Sequence, residues 1–347
     1  MKTRLFLFLF LPAVFSLSAQ SLVESAKADF NTYLRYYAQP LFEANMVNFA
    51  DGWSHQAKTL KPWHFKVDLM ANYTFIPEDK QAFTFNPSEY AHLYVQDTAG
   101  NVFTTPVELP TFAGTDSPYE LKIEVPGSAP GTYNQYIMKV PRGFKEDLEE
   151  VTGFLPVGMP GVMLQVRGGL PLSLEGSLRF FPNTRYGDTE VGLLGFGLKH
   201  DIGKYLFKKS DWHLAVLGSY TNGHITVNIP EMPDFKGVFK LNIYNFQIFG
   251  SYDKKFISFY GSIGAMQGTS SFVLEGQTEI TYNVVNDQGS TITSKTETVI
   301  NPIDIKYQLF MPKASVGVLL NLKILHIFAQ YNLQQYSGLH AGFSINL

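Results

Sequence analysis

The last 24 residues, 324 to 347, contain no Asp, Glu, Lys or Arg, and within them Leu339, Ala341, Phe343, Ile345 and Leu347 alternate with His340, Gly342, Ser344 and Asn346. Period two is the period of a β-strand, whose successive side chains point to opposite faces. A soluble sheet normally guards its edges and wet face with Lys, charged residues or Pro. An uncharged polar face opposite a continuous apolar one suits a strand that separates lipid from a moist interior.

The same rule recurs upstream. Phe65, Val67, Leu69, Ala71, Tyr73 and Phe75 oppose His64, Lys66, Asp68, Asn72 and Thr74. Leu172, Leu174, Leu178 and Phe180 oppose Ser173, Glu175, Ser177 and Arg179. Trp212, Leu214, Val216 and Tyr220 oppose His213, Ser219 and Thr221, and Ile257, Phe259, Ile263 and Ala265 oppose Ser258, Tyr260, Ser262 and Gln267. Composition agrees: charged residues make up 16% of the 347, against roughly 25% in soluble domains. Mean hydropathy is nonetheless only -0.03, which excludes a bundle of apolar membrane helices. The expected fold is therefore all-β, a transmembrane antiparallel β-barrel.

The N-terminus reads as an export signal. Lys2 and Arg4 precede an apolar run from Leu5 to Leu17, and Ser16-Leu17-Ser18-Ala19 offers small residues at a cleavage point after Ala19. Cleavage there takes the net charge from -3 to -5 by removing two basic residues. Residues 29–53 then show Tyr33, Leu34, Tyr37, Leu41, Ala44 and Val47 at helical spacing, with Pro40 expected to bend or split the helix. The expected layout is a signal peptide over 1–19, a short N-terminal helical plug or periplasmic segment over 20–63, and the barrel over 64–347.

With both termini on the periplasmic side, Leu170-Pro171, Asp253 to Lys255 and Asn321 to Lys323 become tight inner turns. The long connections 222–238 and 269–311 then fall outside, as barrels require. The stretch 201–210 is a longer inner turn with an apolar, basic surface. Nine strands fit from Gly161 onward and 64–75 makes a tenth; the Pro-rich stretch 78–158 can add none, two or four, for instance around 90–96 and 132–139. The count is even, within 10 to 16, with 14 as the best value.

Tyr37-Ala38-Gln39-Pro40-Leu41, Gly52-Trp53, Ala57-Lys58 and Lys61-Pro62 resemble the start of an uncharacterised family of Bacteroidota outer-membrane proteins, a domain of unknown function. Gly168-Gly169-Leu170-Pro171, Leu178-Arg179-Phe180-Phe181-Pro182 and Leu194-Gly195-Phe196-Gly197-Leu198-Lys199-His200-Asp201 resemble its middle section. More distantly the layout is similar to FadL-type transporters of fatty acids and hydrocarbons, a resemblance that implies an N-terminal plug inside a 14-stranded barrel.

Chemical motifs are sparse. Outer-membrane acyl hydrolases resemble one another in placing Ser two residues after His on a strand, and none of the eight histidines is so followed. Gly-x-Ser-x-Gly, His-Glu-x-x-His and phosphate-binding loops are also missing. No catalytic, cofactor or metal residues are expected; the zero cysteines remove thiolate chemistry and disulfides, and a pI near 6.2 gives no basic field for nucleic acid. Charged or titratable groups on polar strand faces point instead to the lumen: Lys66, Asp68, Glu175, Arg179, His213 and His326. Glu175 and Arg179 stand about 13 Å apart along one strand, so each needs a partner on a neighbouring strand or on the plug.

The leading expectation is an outer-membrane protein for passive transport of a small hydrophobic molecule. A structural or surface-interaction barrel working through its outer loops is the alternative, with an acyl hydrolase behind both. Expected partners are outer-membrane lipid, a small hydrophobic ligand and the barrel-assembly machinery.

Overall fold

The computed structural model describes residues 20–127, 129–153, 155–207, 211–229 and 232–347; the signal-peptide reading lies outside them. The chain opens with helix α1 (Gln20–Ala50), continues through β1 (Phe65–Phe75), β2 (Ala82–Phe85), β3 (Leu93–Gln96), β4 (Val107–Pro110), β5 (Glu120–Pro126) and β6 (Thr132–Lys139), and reaches α2 (Lys145–Thr152). Then follow β7 (Gly158–Leu170), β8 (Leu174–Tyr186), β9 (Thr189–Asp201), a single helical turn α3 (Gly203–Leu206), β10 (Trp212–Ile229), β11 (Met232–Asp253) and β12 (Ile257–Asn286). The chain finishes with β13 (Thr291–Ile300), β14 (Ile303–Leu322), β15 (Leu325–Leu333) and β16 (Gly338–Asn346).

Ten of these strands close an antiparallel barrel in the order β1, β7, β8, β9, β10, β11, β12, β14, β15, β16 and back to β1. The alternation seen in the sequence is the wall itself. Leu69, Phe196, Phe246, Ile263, Val316 and Phe343 are exposed on the outside, while Asp68, Gln165, Lys199, Gln247, Ser315 and Ser344 are buried inside. The long insertion 76–157 and the overrun of β12 lie at the end opposite the one where β1 begins and β16 ends; the former is called the outer end and the latter the inner end.

The strand count is 10, the low end of the expected range, and the best value of 14 is corrected. Residues 76–157 supply no wall strands because their strands have only four to eight residues, whereas a spanning strand needs about 9–11. They build a cap over the outer end instead. β12 runs 30 residues, far past the wall, and its upper part pairs with β13 on one side and β6 on the other. β5 and β3 continue that sheet, and β2 pairs with β4 separately.

Helix α1 also departs from expectation. It is one unbroken helix of 31 residues through Pro40, about 46 Å long, rather than a short plug. Burial on nearly every side, with Tyr33, Tyr37, Phe42 and Met46 all inside the core, outweighs the hydrogen bond that Pro40 cannot donate. Its first half lies at the cap end of the barrel, opposite the end where β1 begins. Asp29 accepts from the backbone of His92 and Leu93 in the cap, Tyr307 at the outer end of β14 donates to Arg35 O, and Asn48 donates to Met159 O at the outer end of β7. The helix thus descends from the outer cap into the barrel mouth, and residues 51–63 continue down the lumen to β1.

Candidate functional site

The descending segment 51–60 fills the inner half of the lumen. Asp51, Trp53, Ser54, His55 and Ala57 are each at most 1% exposed. Asp51 is fixed from several strands at once: Lys313 forms an ion pair with it, Asn332 and Gln334 each donate to its Oδ2 at 2.8 Å, and His340 Nε2 lies 3.6 Å away. Burial alone raises a carboxyl pKa, but Lys313 and His340 reverse this and hold Asp51 well below the usual carboxylate range. Trp53 stacks its ring 3.9 Å from the guanidinium carbon of Arg179. It sits where Gly195 and Gly197 leave the wall bare, since a Cβ on either would come within 3 Å of the ring. His55 stacks on Phe328 at 3.5 Å, and burial pushes its imidazole pKa well below the ordinary value, so it is neutral.

The wall residues around this segment form a closed charge network. Arg167 grips Asp68 through two bonds, Nε to Oδ2 at 2.6 Å and Nη2 to Oδ1 at 2.8 Å, and also approaches Glu175 at 3.5 Å. Glu175 pairs with Lys199 at 3.0 Å and accepts from the Leu60 amide at 2.9 Å. Lys199 in turn donates to Ser54 Oγ and Gln56 O of the plug. Arg179 donates to Gln165 Oε1, Phe49 O and Asp51 O, so a wall cation caps the carbonyl end of α1, where the helix dipole is negative.

All six lumen candidates are found inside the barrel. Asp68, Glu175 and Arg179 meet in the network just described, and Glu175 and Arg179 do find their partners on other strands and on the plug rather than on each other. Lys66 and His326 form a separate pair near the inner rim, 3.4 Å apart. His213 stands apart from both, 3.4 Å from Asp201 and 3.6 Å from Asp253, whose carboxylate also accepts from Gln56 of the plug. Arg167, Lys199, Lys313 and Asp51 were missed, although the parity of the polar faces marks the first three as inward. Among the described residues no cluster of His, Asp or Glu is arranged to hold a metal ion.

Among the described residues, the ladders of the wall are interrupted between β7 and β8. β7 and β8 pair only from Leu170↔Leu174 up to Gln165↔Arg179. Above that, residues 158–164 stay paired with β1, and residues 180–181 and 184–186 with β9, so the two strands diverge. Val162 stands eight residues above the inner turn, roughly 20 Å along the barrel axis, which places the divergence in the half of the wall facing the outer leaflet. A cavity of about 190 Å³ occupies it, lined by Val162, Leu164, Phe180 and Phe181 at the lipid side and reaching Phe49, Met163 and Arg179 within. His224 adds a polar group to its lining, with Nε2 3.9 Å from Glu190.

Comparison with solved structures brings outer-membrane proteins to the front. The outer membrane protease OmpT of Escherichia coli matches at 8% identity and TM-score 0.34, over 84% of this chain and all of that one. Ail, the attachment invasion locus protein of Yersinia pestis, matches at 10% and 0.23, over 83% of this chain and all of that one. The translocator domain of the autotransporter NalP from Neisseria meningitidis matches at 8% and 0.26, over 94% and 99%. Such identities and scores carry no argument about activity. No curated protein matches the sequence. A family model described as a family of unknown function, DUF6588, matches residues 1–347, and the chain belongs to that family.

Proposed function

We propose that this DUF6588 protein gives a small hydrophobic molecule passive, lateral access from the outer leaflet to the barrel interior. The observation that carries this is the divergence of β7 from β8. It opens an apolar cavity through the wall at membrane depth, while the axial route is occupied by residues 51–60. At about 190 Å³ the cavity is below the roughly 300–1,000 Å³ of sites for drug-sized ligands, which fits a small cargo. Catalysis plays no part in this reading, and the partners it needs are outer-leaflet lipid and the cargo.

The test uses the absence of native cysteine. Val162→Cys, modified with a bulky thiol reagent before reconstitution, blocks the cavity; Ile327→Cys, exposed to lipid on another strand, is the matched control. Flux of a small apolar fluorophore into proteoliposomes falls several-fold for modified Val162→Cys and is unchanged for the control. Equal flux in both variants, or none in the unmodified protein, sinks the transport reading.

The second reading, a surface-interaction barrel, draws on the density of bonds that fix residues 51–60 and on the cap that β2 to β6 build over the mouth. It predicts binding of a partner through the outer loops and no flux.

A further inference from the structure

The upper seam between β7 and β8 is not a ladder that happens to be frayed. In an antiparallel pair, backbone groups face one neighbour and then the other in alternation. Gly169 exchanges bonds with His64 and Trp63 on the β1 side, and Ile76, just past β1, donates to Val157. Odd residues of β7 therefore face β1, and Gly158, Pro160, Val162 and Leu164 turn their backbone toward the gap. On β8, Asp201 donates to Ser173, so odd residues face β9 and even ones, up to Phe180, face β7. Extending the observed register past Gln165↔Arg179 would pair Leu164 with Phe180, Val162 with Pro182 and Pro160 with Thr184. Two successive bonding positions would then each contain a proline, which has no N–H to give. The ladder between β8 and β9 also shifts register between Phe181 and Thr184, a bulge that takes Pro182 out of the β9 pairing as well.

The sequence therefore holds the seam open, and the open edge is chemically lopsided. The pair Gln165↔Arg179 closes the ladder with Leu164 O accepting from Phe180 N–H, so above it β7 turns the carbonyls of Gly158, Pro160 and Val162 to the gap, with no N–H from Pro160, and β8 turns that of Phe180. Pro182 removes another donor from the facing strand. Carbonyls without donors are costly at membrane depth, where no water is at hand to supply them. A pure hydrocarbon in the cavity leaves them unmet.

Resting on the lateral-access reading, we infer that the cavity between β7 and β8 is a binding site for a small apolar molecule carrying a hydroxyl donor, such as an aryl or alkyl alcohol, in preference to a hydrocarbon or ether of the same size. The hydroxyl donates to an edge carbonyl of β7, and the ring or chain packs against Val162, Leu164 and Phe180.

The experiment compares 4-fluorophenol with 4-fluoroanisole, whose methyl ether blocks the donor, by fluorine NMR line broadening against the full chain in nanodiscs. The phenol binds roughly fivefold tighter, the scale of one net hydrogen bond, and both signals sharpen when modified Val162→Cys blocks the cavity. Restoring donors with Pro160→Val and Pro182→Val together lets the edges pair and removes the preference, and Pro160→Val alone weakens it. Equal binding of the two ligands, lost on blocking, overturns the hydroxyl site and leaves lateral access standing. Binding of neither, or binding that blocking does not change, overturns both. A phenol preference that survives the double proline variant also overturns the inference, because the edge carbonyls would then not be its source.

Discussion

Below Ala50 the N-terminal segment is held by ion pairs and hydrogen bonds, from Asp51 with Lys313 to Lys199 with Ser54 and Gln56. Above it the same segment, as α1, is held mainly by apolar contact, with Phe42 against Tyr307 and Phe239 and Met46, Leu241, Ile243 and Met266 in one core, and by a few hydrogen bonds such as Asp29 with His92. The difference follows from what each half has to do. Loop 51–63 has no helical ladder to satisfy its backbone, so the wall must supply partners for it. A helix satisfies its own backbone and can be gripped by side-chain packing alone. The lateral cavity lies where the two regimes meet, at Phe49 and Arg179, and its apolar lining continues the outer half rather than the inner one.

Four perturbations separate the halves, each read as the midpoint of thermal unfolding followed by heat-modifiable migration. Asp51→Ala strands Lys313 in the lumen without its anion, and the expected cost is about 3–5 kcal/mol, the range for breaking a buried pair. A loss under 1 kcal/mol would mean that the inner network is not what holds the segment.

Acidification comes next. The folded pKa of His55 is depressed below its unfolded value of about 6.5, so its contribution is fully present above pH 6.5 and is lost as pH falls below that. Stability is therefore expected to fall as the pH is lowered from 6.5 to 5. His55→Phe, which keeps the stack on Phe328, abolishes this dependence; a variant with the wild-type pH profile assigns the sensitivity elsewhere. Asp51, also depressed, adds a further loss only below about pH 4.

In the outer half, Ile243→Val removes one methyl group from the core beside α1 and costs about 0.5–1.5 kcal/mol, equally at pH 7.5 and pH 5. A pH-dependent cost would blur the division between the halves. The smallest effect is expected at the inner turn, where Lys254 and Asp211 form an exposed pair 2.9 Å apart. Lys254→Ala leaves the midpoint unchanged, since solvent screens such pairs.

Much of the wall was legible in the sequence, because a barrel strand writes its two environments into alternate residues: Phe65, Val67 and Leu69 against Lys66 and Asp68. The even count and the inner turns followed from the same parity. The cap was not legible, because short strands such as Thr132–Lys139 carry the same alternation whether they span lipid or pair with the overhang of β12. Pro40 was misleading, since the packing that carries α1 through it comes from residues far along the chain. Asp51 looked like one more polar residue after a helix; its partners Lys313 and Asn332 lie 262 and 281 residues away, and His340 farther still. Pro160 and Pro182 were visible as residues, but their meaning depends on which neighbour each backbone group faces, and that is set by pairing.

The central claim is that the wall is open between β7 and β8 at outer-leaflet depth. Two pairs of spin labels in nanodiscs test it most directly: Val166→Cys with Leu178→Cys, which face each other across the laddered seam, and Leu164→Cys with Phe180→Cys, the next pair up. The account predicts a short, narrow distance distribution for the first pair and a longer, broader one for the second, collapsing to the first when Pro160→Val and Pro182→Val are added. Two matching short distributions in the chain with both prolines intact would contradict it.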